Sequence, residues 1–166
     1  SKDFIDEWIL EHLDTPFSTN TQLDLCPSQA VDTLTLLDGS LHQQRTHWGI
    51  QPSWSKQLII NAKSETVASK ITFQKAFTTQ RCLVPCSGWY EWKNEGGPKK
   101  QKYLFSPTNE APFFMAGIWF QQNDTSQLVT LTTRPNERSA RIHHRMPVLI
   151  LPKDIPYWFN SNNEEV

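Results

Sequence analysis

The 166-residue chain has no apolar run approaching the roughly 18 residues that span a bilayer. No basic-then-apolar leader with a small-residue cleavage site opens it. It has no internal repeat and no low-complexity tract. Cysteine is scarce: Cys26, Cys82 and Cys86 make an odd count with no framework spacing. That excludes a secreted disulfide scaffold and points to a reducing cytoplasm. Membrane protein, collagen and coiled coil are excluded on the same grounds.

What remains is globular. Hydrophobic residues make up 37% and charged residues 20%, and the length suits one domain, expected over residues 1–166. Seven Trp and nine Phe promise a packed β-rich core, an aromatic binding surface, or both. The net charge of −1 hides an uneven distribution. Residues 1–25 carry −5 and residues 146–166 carry −2, while 26–80 carry +2 and 81–145 carry +4. A basic centre suits an anion such as a nucleic-acid backbone. Lys99, Lys100 and Lys102 equally suit a solvated hairpin, so charge alone does not decide for nucleic acid.

Residues 3–13 read as an amphipathic helix with Phe4, Ile5, Trp8, Ile9 and Leu13 on one face and Ser1 as N-cap. Residues 16–30 are loop-like, with Pro16 and Pro27. Residues 33–37 and 41–50 form a hairpin joined at Asp38-Gly39. Residues 64–77 read as short helix and turn. Strands are expected at 81–85, 87–92, 101–105, 113–120, 127–133 and 146–151, with a short helix or turn at 134–141 and a last helix from 152. Apolar strands in succession with tight connections predict an α+β fold, a curved, barrel-like antiparallel sheet with a few flanking helices. The strands from 81–92, 113–120, 127–133 and 146–151 are expected to share that sheet.

Glu91 is the most informative single residue. It lies in Trp89-Tyr90-Glu91-Trp92 and alternation puts it on the face of Trp89. A carboxylate among rings loses hydration and its pKa rises, which makes it a candidate general acid or base; the competing reading is a glutamate on the outward face of the strand. His143, first of the pair His143-His144 before Arg145, is suited to proton transfer or to a capping role. Asn61, after Leu58-Ile59-Ile60, is a turn former or a polar group aimed into a pocket. Trp54, after Pro52, is core filler or a base-stacking ring. Thr132 and Thr133 end a strand, where a phosphate contact and ordinary strand composition are equally good readings. Cys82 and Cys86, four apart and far in sequence from His143-His144, suggest half a zinc site, but a structural zinc wants two paired clusters, so the pair reads better as small apolar filler and no metal is expected.

Four stretches occur in order: Trp48-Gly49-Ile50-Gln51-Pro52-Ser53-Trp54; Asn61-Ala62-Lys63-Ser64-Glu65-Thr66; Arg81-Cys82-Leu83-Val84-Pro85-Cys86-Ser87-Gly88-Trp89-Tyr90-Glu91-Trp92; and Ile142-His143-His144-Arg145-Met146-Pro147. Together they resemble the SRAP family, the SOS response-associated peptidase domain, across roughly residues 23–158; Gly117-Ile118-Trp119 and Leu131-Thr132-Thr133 also fit. The resemblance implies a DNA-damage protein that binds single-stranded DNA at abasic sites. In the family, an amino-terminal cysteine exposed by removal of the initiator Met captures the ring-opened sugar aldehyde as a thiazolidine. It further implies Asn61, Glu91 and His143 as catalytic residues converging on one pocket, and Trp54, Lys63 and Arg145 as DNA-binding residues. No cofactor is implied. The partner is single-stranded DNA containing abasic sites, with no membrane, acting as a monomer in a bacterial-type cytoplasm at the nucleoid.

The sequence departs from the family pattern in places. The Met-Cys-Gly-Arg opening is missing, so the chain is expected to lack the extreme N-terminal catalytic segment, and it ends soon after Trp158, where many members continue. Cys26 stands in Leu23-Asp24-Leu25-Cys26-Pro27, a degraded form of the family's Tyr-Asn-x-Ala-Pro. Lys63 replaces the usual arginine, keeping charge and losing the planar fork. Two alternatives stay open: a thiol peptidase or autopeptidase using a cysteine with His143 and Glu91, and a non-catalytic single-stranded DNA-binding module.

Overall fold

Asp38 and Gly39 turn the chain back on itself with φ of 50° and 81°, the paired positive values of a two-residue hairpin loop. They join β1 (Ala30–Leu37) to β2 (Ser40–Trp48), with Leu37 opposite Ser40. The computed structural model describes residues 2–20, 24–106 and 111–163; the expected Ser1 cap lies outside them. β1 then pairs with β4 (Arg81–Cys86), β4 with β7 (Phe113–Gln122), and β7 with β8 (Thr125–Thr133), all antiparallel. β8 returns to β2 through His47–Gln127 and Trp48–Leu128, in parallel. These five strands close a ring. Two short strands extend it: β3 (Asn61–Lys63) runs parallel beside residues 130–132, and β9 (Met146–Pro147) lies antiparallel on the other edge of β8.

The fold is α+β with a barrel-like sheet, but the sheet is mixed rather than wholly antiparallel. A ring with an odd number of strands cannot alternate direction all the way round, so at least one neighbouring pair must be parallel. A second difference concerns residues 87–92. The strand β5 (Trp89–Lys93) leaves the barrel and pairs only with β6 (Gln101–Phe105) as a two-stranded ribbon. Gly88 permits the crossing, because a Cβ there would collide with the Phe105 carbonyl oxygen. Trp89 fastens the ribbon to the barrel, stacked on Phe105 at 4.9 Å and edge-on to Phe113 at 5.2 Å. Third, the expected strand 146–151 is regular only at β9. It then changes neighbours, with Val148 N–H donating to Leu131 O and Ile150 N–H to Phe114 O.

The faces of the strands sort the core. Leu83, Ala116, Ile118, Val129 and Leu131 pack against α1 (Lys2–Leu13), α2 (Gln74–Thr79) and α3 (Ile155–Asn160). The opposite face gathers Val31, Cys82, Val84 and Leu128. Helix α1 buries Ile5 and Ile9, with Phe4, Trp8 and Leu13 beside them, as its periodicity predicts. Arg81 is itself buried and ties three segments together. It donates to the carbonyls of Phe77, Trp158 and Ser161 and to Asn163 Oδ1, and its guanidinium lies 4.5 Å from the Phe77 ring centre. No helix among the described residues is long and apolar enough to cross a membrane.

Candidate functional site

The site is built around the C-terminal end of β8. On β3, Ala62 faces the core and Asn61 and Lys63 face outward. Asn61 Oδ1 accepts a 2.8 Å hydrogen bond from Thr130 Oγ1. Ser64 N–H donates to Thr132 O, and the N–H groups of Thr66 and Val67 return to Lys63 O. This turn swings Glu65 across to Arg145. Arg145 meets it two-pronged, Nη1 to Oε1 at 3.0 Å and Nη2 to Oε2 at 2.9 Å. Beneath, Nη2 donates to Thr132 O at 2.8 Å, and Nε to Thr132 Oγ1 at 3.3 Å. The arginine's hydrogen bonds hold the Glu65 carboxyl down at about 2.

Beside Arg145 stands His143. The loop carrying it is pinned by buried Ser139, which donates to Asn136 Oδ1 and whose carbonyl accepts from His143 N–H. His143 Nδ1 lies 3.1 Å from both the backbone N and O of Arg145 and 3.8 Å from Glu91 Oε2. The Arg145 N–H is satisfied by a neutral Nδ1 and the Arg145 carbonyl by a protonated one, so either state finds a backbone partner. The ring of His144 stacks on His143 at 4.5 Å. Glu91 faces inward on β5 with Trp89, its side chain 20% exposed. Burial raises its pKa, and the nearby His143 partly offsets that rise. A carboxyl with a raised pKa and an imidazole thus face one another 3.8 Å apart, an arrangement that can pass a proton.

The six residues singled out in the sequence divide by contact. Glu91 meets His143, His143 meets the Arg145 backbone, and Arg145 meets Thr132, whose register partner is Lys63. Asn61 shares the outward face of β3 with Lys63 and bonds Thr130 rather than Glu91 or His143. Trp54 stands apart, 68% exposed on the loop between the bridged residues Ile50 and Ile59. Glu65 was not among them. Its signal was present as an acid inside a basic stretch, within the Asn61–Thr66 motif.

The thiols lie elsewhere. Cys82 is buried and its pKa raised, and burial pushes Cys86 up to about 12. The thiol of exposed Cys26 donates to the Asp24 carbonyl. Among the described residues none of the three bonds to His143 or Glu91, and no three His, Cys, Asp or Glu side chains gather as a metal would require.

The sequence family described as SOS response associated peptidase (SRAP) matches residues 2–166. The chain belongs to the SRAP family. Among SRAP relatives, the abasic site processing protein YoqW of Bacillus subtilis is 29% identical over 98% of this chain and 77% of its own length. The abasic site processing protein YedK of Escherichia coli is 31% identical over 83% of this chain and 64% of its own. HMCES of Gallus gallus, likewise named an abasic site processing protein, is 28% identical over 62% of this chain and 40% of its own. A phage-related protein from Bordetella bronchiseptica superposes with a TM-score of 0.77 at 25% identity, over 98% of this chain and 81% of its own. A second protein from that organism gives 0.82 at 20% identity, over 96% and 86%, a likeness of fold.

Proposed function

We propose that this SRAP chain acts on abasic sites in single-stranded DNA, with Glu91 and His143 moving the protons. The observation that supports it most is the 3.8 Å approach of His143 to a desolvated Glu91, in a chain whose relatives are named abasic site processing proteins. An abasic sugar rests mostly as a closed hemiacetal. Opening it removes a proton from the hydroxyl and delivers one to the ring oxygen, work for a paired base and acid. An α-amine then adds to the freed aldehyde and water leaves, giving an imine. A thiol on the same residue adds to the imine carbon, its proton passes to nitrogen, and a thiazolidine closes. Both new bonds come from amine, thiol and aldehyde, so the capture calls on no cofactor.

On this reading Asn61 orients the attacking terminus, Lys63 and Arg145 hold phosphates, and Trp54 offers a stacking face. The 166 residues act as one domain and as a monomer. The nucleophile is a cysteine at the amino terminus. The amide nitrogens of Cys26, Cys82 and Cys86 are tied into peptide bonds, so none of these can close the ring through its own amine. The thiol peptidase reading gains nothing from the geometry, since burial keeps Cys82 and Cys86 protonated and a thiolate is the nucleophile.

The test compares the chain beginning at Ser1 with a form opening on cysteine, each incubated with a labelled single strand bearing one abasic site. A heat-stable shifted band on a denaturing gel is expected only from the cysteine form. Native gels of the Ser1 chain are expected to show binding to the single strand in preference to duplex. A stable band from the Ser1 chain, or a preference for intact duplex, overturns the proposal.

A further inference from the structure

A guanidinium carries five N–H groups in a rigid fork. In Arg145, Nε–H goes to Thr132 Oγ1, one Nη2 hydrogen to Glu65 Oε2 and the other to Thr132 O, and one Nη1 hydrogen to Glu65 Oε1. A single Nη1 hydrogen is left. A phosphate held two-pronged by this fork would need the place Glu65 already fills. Lys63, by contrast, is exposed and pairs with no carboxylate among the described residues.

Resting on the DNA reading above, we infer that Glu65 is the resident anion of the phosphate site: it fills the Arg145 fork in the free protein, and a backbone phosphate binds two-pronged there only by displacing it. The two partners are held unequally. The Arg145 side chain is 18% exposed and bonded from beneath by Thr132, while Glu65 is 37% exposed and rides on a turn. Displacement therefore moves the carboxylate and leaves the fork in position. The arginine's hydrogen bonds hold the Glu65 carboxyl well below the usual carboxylate range, so it competes as an anion throughout the range in which DNA binding is measured. Binding exchanges one anion for another. The freed carboxylate takes up a cation from solution and offsets part of the counterion release from DNA.

The test is fluorescence anisotropy of a labelled oligothymidine across a NaCl series, using the full chain and its Glu65→Gln, Arg145→Gln and doubly substituted forms. Glu65→Gln is expected to bind about 2–5-fold tighter, the worth of an exposed ion pair that need not be broken. Its log affinity is expected to fall more steeply with log salt, by up to about 0.7. Both effects should vanish in the Arg145→Gln background. Unchanged or weaker binding by Glu65→Gln would make the glutamate a brace for the arginine and overturn the inference, leaving the DNA reading intact. A gain that persists without Arg145 would reduce it to bulk charge and overturn it equally. If neither the unaltered chain nor Glu65→Gln binds, the DNA reading falls and this inference with it.

Discussion

His143 Nδ1 lies 3.8 Å from Glu91 Oε2, and the two residues reach that distance from opposite kinds of structure. Glu91 rides on a ribbon outside the barrel, aimed inward by strand alternation and held by the Trp89 stack. His143 hangs on an irregular loop pinned by Ser139 and Asn136. Neither element pairs with the other, so the approach depends on how each is anchored to the barrel.

The raised pKa of Glu91 makes stability depend on pH in a definite direction. Its folded form binds a proton more readily than the unfolded chain, whose carboxyl titrates at the ordinary 4.5. The stabilisation is complete below that value and is lost as pH rises through the raised one, leaving an ionised carboxylate that costs stability at neutral pH. Glu91→Gln is therefore expected to melt above the unaltered chain at about pH 7.5, by roughly 2–4 °C for each kcal/mol relieved, with the gain shrinking toward about pH 4. Thermal melts followed by circular dichroism check this. A lower melting point at neutral pH would mean that the carboxylate's contacts outweigh its desolvation.

Arg81 predicts a stability effect far from the site. Replacing it with Met leaves the buried carbonyls of Phe77 and Trp158 without their donor and is expected to cost about 3 kcal/mol or more. Arg81→Lys should rescue little, since one ammonium cannot serve acceptors spread around a planar fork. Urea unfolding of the three forms measures both differences. A Lys form as stable as the parent would contradict the clamp.

Gly88→Ala is expected to cost about 1–3 kcal/mol through the collision with the Phe105 carbonyl, and to loosen the ribbon that carries Glu91. Amide exchange of the β5–β6 pairs, set against exchange in the barrel strands, reads it out. Uniform exchange changes, or none, would contradict a local role for the glycine.

Lys63→Ala is expected to weaken single-stranded DNA binding about equally for all sequences and to lower the salt slope by about 0.7. Anisotropy over a salt series checks it. An unchanged slope would place the phosphate contact elsewhere.

How much of this the sequence reveals depends on how local the cause is. Asp38-Gly39 and the face of α1 are legible because turn chemistry and helical period act within a few residues. Glu91's inward direction follows from alternation with Trp89. The parallel closure of β2 on β8 is not legible, because it follows from strand number in a ring rather than from any segment. Nor is the departure of β5, because an apolar strand reads alike in a barrel and in a ribbon, and only the contact between Gly88 and Phe105 distinguishes them. Glu65 escapes for a related reason: its partner Arg145 arrives through tertiary folding, and an acid on a polar turn gives no sign of which cation it will meet.

The most direct test of the account is the rate of capture of a labelled abasic single strand by a form of the protein opening on cysteine, compared among the parent, Glu91→Gln, His143→Ala and the double variant. If the two groups act as one proton-transfer unit, each single change slows capture by roughly 10²-fold or more and the double change costs little beyond either alone. Capture at the parent rate in either single variant, or losses that multiply in the double variant, would contradict a joint role for Glu91 and His143.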